Sequence, residues 1–102
     1  MIFKGVVERI VDGDTLTIRV DLGFSISHVI RVRLYTVKAP ELPKIEGMNA
    51  QKRLQEMVPL GMACELQTIK LDSYGRWVSI VRVNRDSVND AMNDYLSKTG
   101  EA

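Results

Sequence analysis

Three short stretches of the chain hold residues with the means to do chemistry. In Asp12-Gly13-Asp14-Thr15, two carboxylates flank a glycine. Oxygen donors so placed can hold a hard cation, although Asp-Gly also builds tight turns for conformational reasons alone. Arg33 and Pro40-Glu41 form the second group. A guanidinium is planar, permanently charged and fork-shaped, which suits a bidentate grip on phosphate. A carboxylate on a loop stiffened by proline can position a water and take its proton. The third stretch, Asp72-Ser73-Tyr74-Gly75-Arg76, sets a phenol and an arginine at the tip of a turn. Singly these are a hairpin turn, a solvated strand arginine, a loop glutamate and another turn. Together they are the inventory for cleaving a phosphodiester: a cation-binding acid, a base for water, and two guanidiniums for the charge that builds on phosphoryl oxygens.

The elements that must position them are legible from periodicity. Leu16, Ile18 and Val20 alternate with Thr15, Thr17, Arg19 and Asp21, which predicts a strand with one apolar face. The β-branched run Val6–Val11 predicts a strand before it, ending at the Asp12-Gly13 turn. Ile30, Val32 and Leu34 share one face of a third strand, and Arg31, Arg33 and Tyr35 share the other. Ala39-Pro40 ends that strand, because the residue before proline is driven to extended geometry. Ala50, Leu54, Met57 and Val58 predict a helix over about Gly47 to Val58. Met62, Cys64 and Leu66 alternate, then the apolar phase slips to Ile69 and Leu71, which predicts a bulge near Thr68. Trp77–Val83 reads as a fifth strand. A last helix carries Val88, Ala91, Met92, Tyr95 and Leu96, with Ser87 and Asp90 as its capping start and Gly100 at its end. Five short strands with a helix between the third and fourth predict a mainly β, α+β fold: a closed five-stranded Greek-key barrel of the OB type, since closure removes the sheet edges.

Length and composition agree. The 102 residues amount to one domain, residues 1–102, with 45% hydrophobic and 26% charged residues. That excludes a disordered or low-complexity chain. No apolar run approaches the roughly 18 residues a membrane span needs, and the charged N-terminus holds no secretory core, so a cytoplasmic or phage-encoded protein and no membrane partner are expected. The single cysteine, Cys64, leaves no internal disulfide and no multi-cysteine zinc site; its alternation with Met62 and Leu66 makes it a small buried hydrophobe. Net charge is only +1, yet residues 1–85 carry +4 and residues 86–102 carry −3. The lone His28 reads as a solvated loop residue and Trp77 as core or rim packing.

Val11-Asp12-Gly13-Asp14-Thr15-Leu16, Arg31-Val32-Arg33-Leu34 with Ala39-Pro40-Glu41, and Asp72-Ser73-Tyr74-Gly75-Arg76, in this order, resemble the staphylococcal-nuclease-like (thermonuclease) family. Asp21-Leu22-Gly23-Phe24 resembles its phage and bacterial branch. The resemblance implies a calcium-using OB-type nuclease acting on DNA and RNA, most readily single-stranded. It implies Asp14 and the Ala39 carbonyl as metal ligands, and Glu41 as the base that activates water. Arg33 and Arg76 would bind the scissile phosphate, and Tyr74 a terminal phosphate. Asp12, Thr15 and Asp72 would support them. The chain departs from the family's pattern twice. Lys38 stands where an aspartate, sometimes an asparagine, usually precedes the Ala/Thr-Pro-Glu step; an ammonium has no lone pair to give a metal, so calcium binding is expected to be weakened or lost. Lys38 either pairs with Asp14 and Glu41 in the metal's place or turns outward. The pattern also continues beyond the helix of Tyr95, whereas this sequence ends at Ala102, and a homodimer is expected to cover the face left bare. The alternative to a nuclease is an OB module that binds nucleic acid or a protein without cutting.

Overall fold

A computed structural model describes residues 1–100. Its elements run β1 (Ile2–Ile10), β2 (Thr15–Asp21), β3 (Ser27–Leu34), α1 (Ile45–Met57), β4 (Ala63–Leu71), β5 (Trp77–Val83), the two-residue β6 (Asp86–Ser87) and α2 (Val88–Thr99). The sheet order is β3-β2-β1-β4-β5-β6, and β3 also pairs in parallel with β5. That last pairing, Val32 with Trp77 through Leu34 with Ser79, closes β1 to β5 into the expected five-stranded barrel. Inward residues from β1 to β5 meet in one core that includes Val7, Leu16, Ile18, Val32, Leu34, Leu66 and Val81, with Leu54 of α1 and Met92 and Leu96 of α2 packed against them.

Two irregularities curve the strands. The bulge expected near Thr68 is present, as a register shift between Thr68 and Lys70 against β5. Ile69 and Leu71 nevertheless lie exposed rather than on the core face. A second bulge, at Glu8 in β1, went unforeseen. Its trace in the sequence is the three-residue spacing of buried Val7 and Ile10, which turns both Glu8 and Arg9 outward.

Other expectations need adjusting. β1 begins at Ile2 and α1 at Ile45, both earlier than predicted, because polar or isolated residues at element ends carry no periodic signal. His28 lies within β3, paired with Val20, and not in a loop. Trp77 stands at the rim, 37% exposed. Cys64 is buried as expected, and burial pushes its thiol up to about 11. The Ser87 cap is made: its hydroxyl oxygen accepts from the Asp90 N–H at 3.1 Å, and Gly100 closes α2 in the left-handed region. No helix among the described residues is long and apolar enough to cross a membrane.

Candidate functional site

The β1–β2 turn supplies Asp12 and Asp14. Asp12 Oδ1 accepts from the Asp14 N–H at 3.0 Å, the side-chain-to-backbone bond that makes Asp a turn former. Gly13 lets this turn lie against Ala39 and Ala50: a Cβ there would sit 2.6 Å from the Ala50 Cβ and 2.7 Å from the Ala39 Cβ. Gly47 does the same for the Pro-Glu loop. A Cβ on it would fall onto the Glu41 carbonyl, with the carbonyl carbon 2.6 Å away. Two glycines therefore clamp the acidic turn, the Ala39–Glu41 segment and α1 together. Gly47→Ala is expected to cost about 1–3 kcal/mol, because the obstructing atoms are backbone and cannot swing aside; a denaturant titration measures it.

Asp14 is almost fully buried, 8% exposed. Its Oδ1 accepts from the Thr15 hydroxyl at 2.9 Å and its Oδ2 from the Ala39 N–H at 3.2 Å. Its carbonyl accepts from the Leu34 N–H at 2.8 Å, tying the turn to the end of β3. Burial pushes the Asp12 carboxyl up to about 6; the adjacent Asp14 carboxyl adds to this, against the hydrogen bond from the Asp14 N–H.

The arginines reach the same place by separate routes. Arg33 lies on β3 opposite Thr15 of β2 and Val78 of β5, with its Nη2 donating to the Val37 carbonyl at 3.2 Å. Arg76 ends the β4–β5 turn. Its Nε donates to Asp72 Oδ2 at 2.8 Å, and its Nη1 lies 3.5 Å from the Thr15 hydroxyl. The Thr15 side chain thus connects Arg76 to Asp14. Asp72 braces the whole turn, since its Oδ1 also accepts the N–H groups of Tyr74 and Arg76 at 2.9 and 2.8 Å. Desolvation opposes ionisation of Asp72, but hydrogen bonds from the backbone and guanidinium of Arg76, and from the Tyr74 N–H, outweigh it and hold the carboxyl below its ordinary range. The Arg76 guanidinium lies 5.4 Å over the Tyr74 ring. Arg33, Thr36, Lys70, Tyr74 and Arg76 line one open groove of about 340 Å³.

Arg33, Arg76, Tyr74, Asp72, Thr15 and Asp14 are therefore brought together. Glu41 is not tied to them by a hydrogen bond or ion pair: its carboxylate is exposed, and only its backbone is packed, on Gly47. Lys38 is exposed and makes no ion pair among the described residues, so it does not occupy the space between Asp14 and Glu41 as one expectation had it. The Ala39 group that reaches Asp14 is its N–H.

Two residues of this region were missed. Arg31, given no role by the sequence, donates from Nη2 to the Tyr74 carbonyl at 2.7 Å and so holds the β4–β5 turn from β3. Lys70 faces the groove because the bulge turns it there, opposite Val78. The only sequence signal for Arg31 was its spacing of two from Arg33.

The donor set does not make a calcium cage. Calcium takes about six to eight oxygens. Among the described residues no three His, Cys, Asp or Glu side chains group to hold a metal. Both oxygens of Asp14 already accept hydrogen bonds, and Lys38 contributes an ammonium where an acid would serve. What is present is a carboxyl pair, Asp12 and Asp14, beside a cationic groove. The expected homodimer gains no support from the relatives reported below.

No family model matches the chain. A micrococcal nuclease of Shigella flexneri is 34% identical over 79 residues, covering 78% of this chain and 42% of that protein. Protein ParB of Escherichia coli is 35% identical over 83 residues, covering 81% of this chain and 44% of that protein. The chain thus spans less than half the length of the curated relatives it matches. Likeness to a micrococcal nuclease along most of the sequence, on a five-stranded barrel closed through β3 and β5, makes the kinship plain: the chain belongs to the staphylococcal-nuclease-like (thermonuclease) family.

Proposed function

We propose that the domain binds and hydrolyses phosphodiesters of DNA or RNA. The observation that carries this is the meeting of Arg33 and Arg76 in one groove with Tyr74, with Thr15 linking Arg76 to buried Asp14. Two guanidiniums there can take the non-bridging oxygens of a phosphodiester and hold the added charge of an in-line attack by water. Each keeps free N–H donors after its own internal bond, and those internal bonds fix its direction beforehand. Tyr74, exposed at the turn, is placed to meet a neighbouring phosphate. Glu41 is the residue available to take the proton from water, on a loop whose backbone is seated against α1. The micrococcal nuclease among the relatives supports the hydrolytic reading.

A second reading, binding without cleavage, is favoured by one specific feature: Lys38 and the hydrogen-bonded Asp14 leave the acidic cluster short of ligands for a cation. Cleavage of labelled single-stranded DNA, in chelator and across calcium, magnesium and manganese, separates the two. The hydrolytic reading expects cutting by the wild type under at least one of these conditions. It also expects Lys38→Asp to raise the calcium-dependent rate by about tenfold or more, because the substitution removes a like charge and adds a ligand. Silence from both proteins, with retained binding to the strand, leaves the binding module.

A further inference from the structure

The groove does not end the cationic surface. Arg31 and Arg33 point to the same outward side of β3, two residues and about 6.7 Å apart along the strand. Arg31 pairs across to Thr17 of β2, and Thr17 pairs across to Arg9 of β1. Directly paired residues in antiparallel strands share a face, so Arg9, Thr17 and Arg31 form a row spanning three strands, about 10 Å from end to end at the backbone, with the Arg31 guanidinium drawn toward the β4–β5 turn. This row lies one step below the pair Thr15 and Arg33 at the groove. The Glu8 bulge creates it: Glu8 and Arg9 both face outward, but Glu8 is taken by Arg19 of β2 at 3.0 Å. Arg9 and Arg31 are exposed and have no carboxylate partner among the described residues. Of the acids at the groove, Asp14 is engaged by hydrogen bonds and Asp72 by Arg76.

We propose that the Arg9–Thr17–Arg31 row is a phosphate track that continues the Arg33–Arg76 groove, so that the domain takes a single strand several nucleotides long rather than one phosphodiester unit. The proposal rests on the groove being a phosphodiester site and adds the strand's path across β3, β2 and β1. The spacing of Arg33 and Arg31 is of the order of that between neighbouring phosphates on an extended strand. The Thr17 hydroxyl between the two arginines adds a donor of the kind that positions backbones without reading sequence. A duplex presents a different and stiffer array of phosphates, so the track favours single strands.

The test measures binding of labelled oligothymidylates, one of twelve nucleotides and one of two, by fluorescence anisotropy in chelator from about 50 to 200 mM salt. Each phosphate contact contributes about 0.7 to the slope of log affinity against log salt for a single strand. Arg9→Ala is expected to lower that slope for the twelve-mer by about 0.7, and Arg9→Ala with Arg31→Ala by about 1.4, while Arg9→Ala leaves dinucleotide binding unchanged. Arg9 touches nothing in the groove, so its single variant is free of the effect Arg31→Ala has on the Tyr74 turn. Lys52→Ala with Arg53→Ala, on the exposed side of α1, removes the same charge elsewhere and is expected to leave the slope as it was. Slopes for the Arg9 variants that equal this control overturn the track, as does a wild type that binds two nucleotides as tightly as twelve. A wild type that binds neither oligomer overturns the groove reading itself, and the track with it.

Discussion

Replacing Arg76 or Arg33 by alanine is expected to lower kcat/KM for phosphodiester cleavage by about 10² to 10³-fold each, the usual loss when one preorganised donor to a developing oxyanion is removed. The preorganisation is visible in the turn. Asp72 accepts from the Arg76 guanidinium and from the N–H groups of Arg76 and Tyr74, so the guanidinium is aimed before any ligand arrives. Arg33 is fixed at the other side by the Val37 carbonyl. Lysine is expected to restore little at either position, because a point ammonium cannot reproduce two parallel N–H bonds. The losses are expected mainly in kcat, since the charge each arginine meets grows toward the transition state. Asp72→Asn is expected to raise KM as well, by loosening the turn while leaving both arginines in the chain. Steady-state kinetics on a single-stranded substrate, with folding confirmed by circular dichroism, checks all five variants. Arginine-to-alanine variants that cut at the wild-type rate would remove both side chains from the proposed chemistry.

The largest expected loss of stability lies away from the groove, at Asn89. β3 ends at Leu34, paired with Ser79, and β6 takes up that side of β5 only at Arg82, so Ile80 and Val81 lie between them without a strand partner there. The first turn of α2 takes the missing strand's place. Asn89 Oδ1 accepts from the Val81 N–H at 2.9 Å, and its Nδ2 donates to the carbonyls of Ser79 and Tyr35, both at 3.0 Å. The side chain is 3% exposed, so no water stands ready to replace these bonds. Asn89→Ala leaves the buried Val81 N–H unpaired, at about 1–3 kcal/mol, and takes one of two donors from each of the Ser79 and Tyr35 carbonyls, which keep the Tyr35 N–H and the Thr36 hydroxyl. A net loss of about 3 kcal/mol is expected, which for a domain of this size lowers Tm by roughly 10 to 20 °C. Asn89→Asp keeps the acceptor but loses the donor and buries a charge, so it is expected to fare no better. Asn93, on the exposed side of α2 with its Nδ2 3.3 Å from the Thr36 hydroxyl, is the control: Asn93→Ala is expected to stay within about 0.5 kcal/mol. Thermal unfolding of the three variants settles the comparison.

Asn89 also illustrates how function and fold are joined here. The Tyr35 carbonyl it holds belongs to the segment that leads from Arg33 to Ala39 and Glu41, and Tyr35 in turn donates its N–H to Ser79. The helix is thereby docked on the strand ends that carry the groove. Gly13 and Gly47 perform the corresponding task on the other side, seating the acidic turn and the Glu41 loop on α1.

The sequence by itself determined the strands with an apolar and a polar face, the two helices and the residue types of the site. Those signals are local: the alternation of Leu16, Ile18 and Val20, or of Ile30, Val32 and Leu34, is set by the two-residue period of the pleat. It also placed Arg33 on the outward side of β3 and Ser87 at the head of α2 for the same reason. Tertiary structure alone decided which of these residues meet. Arg76 reaches Thr15 and Asp14 only because β3 and β5 pair in parallel, a closure that depends on strand curvature and on two bulges, of which only one left a clear trace in the apolar pattern. The bond from the Ala39 N–H to Asp14 Oδ2, the grip of Arg31 on the Tyr74 carbonyl and the hold of Asn89 on the Tyr35 carbonyl are likewise long-range outcomes. Each joins groups far apart in the chain through polar contacts, and a polar contact, unlike a buried apolar face, imposes no period on the residues around it.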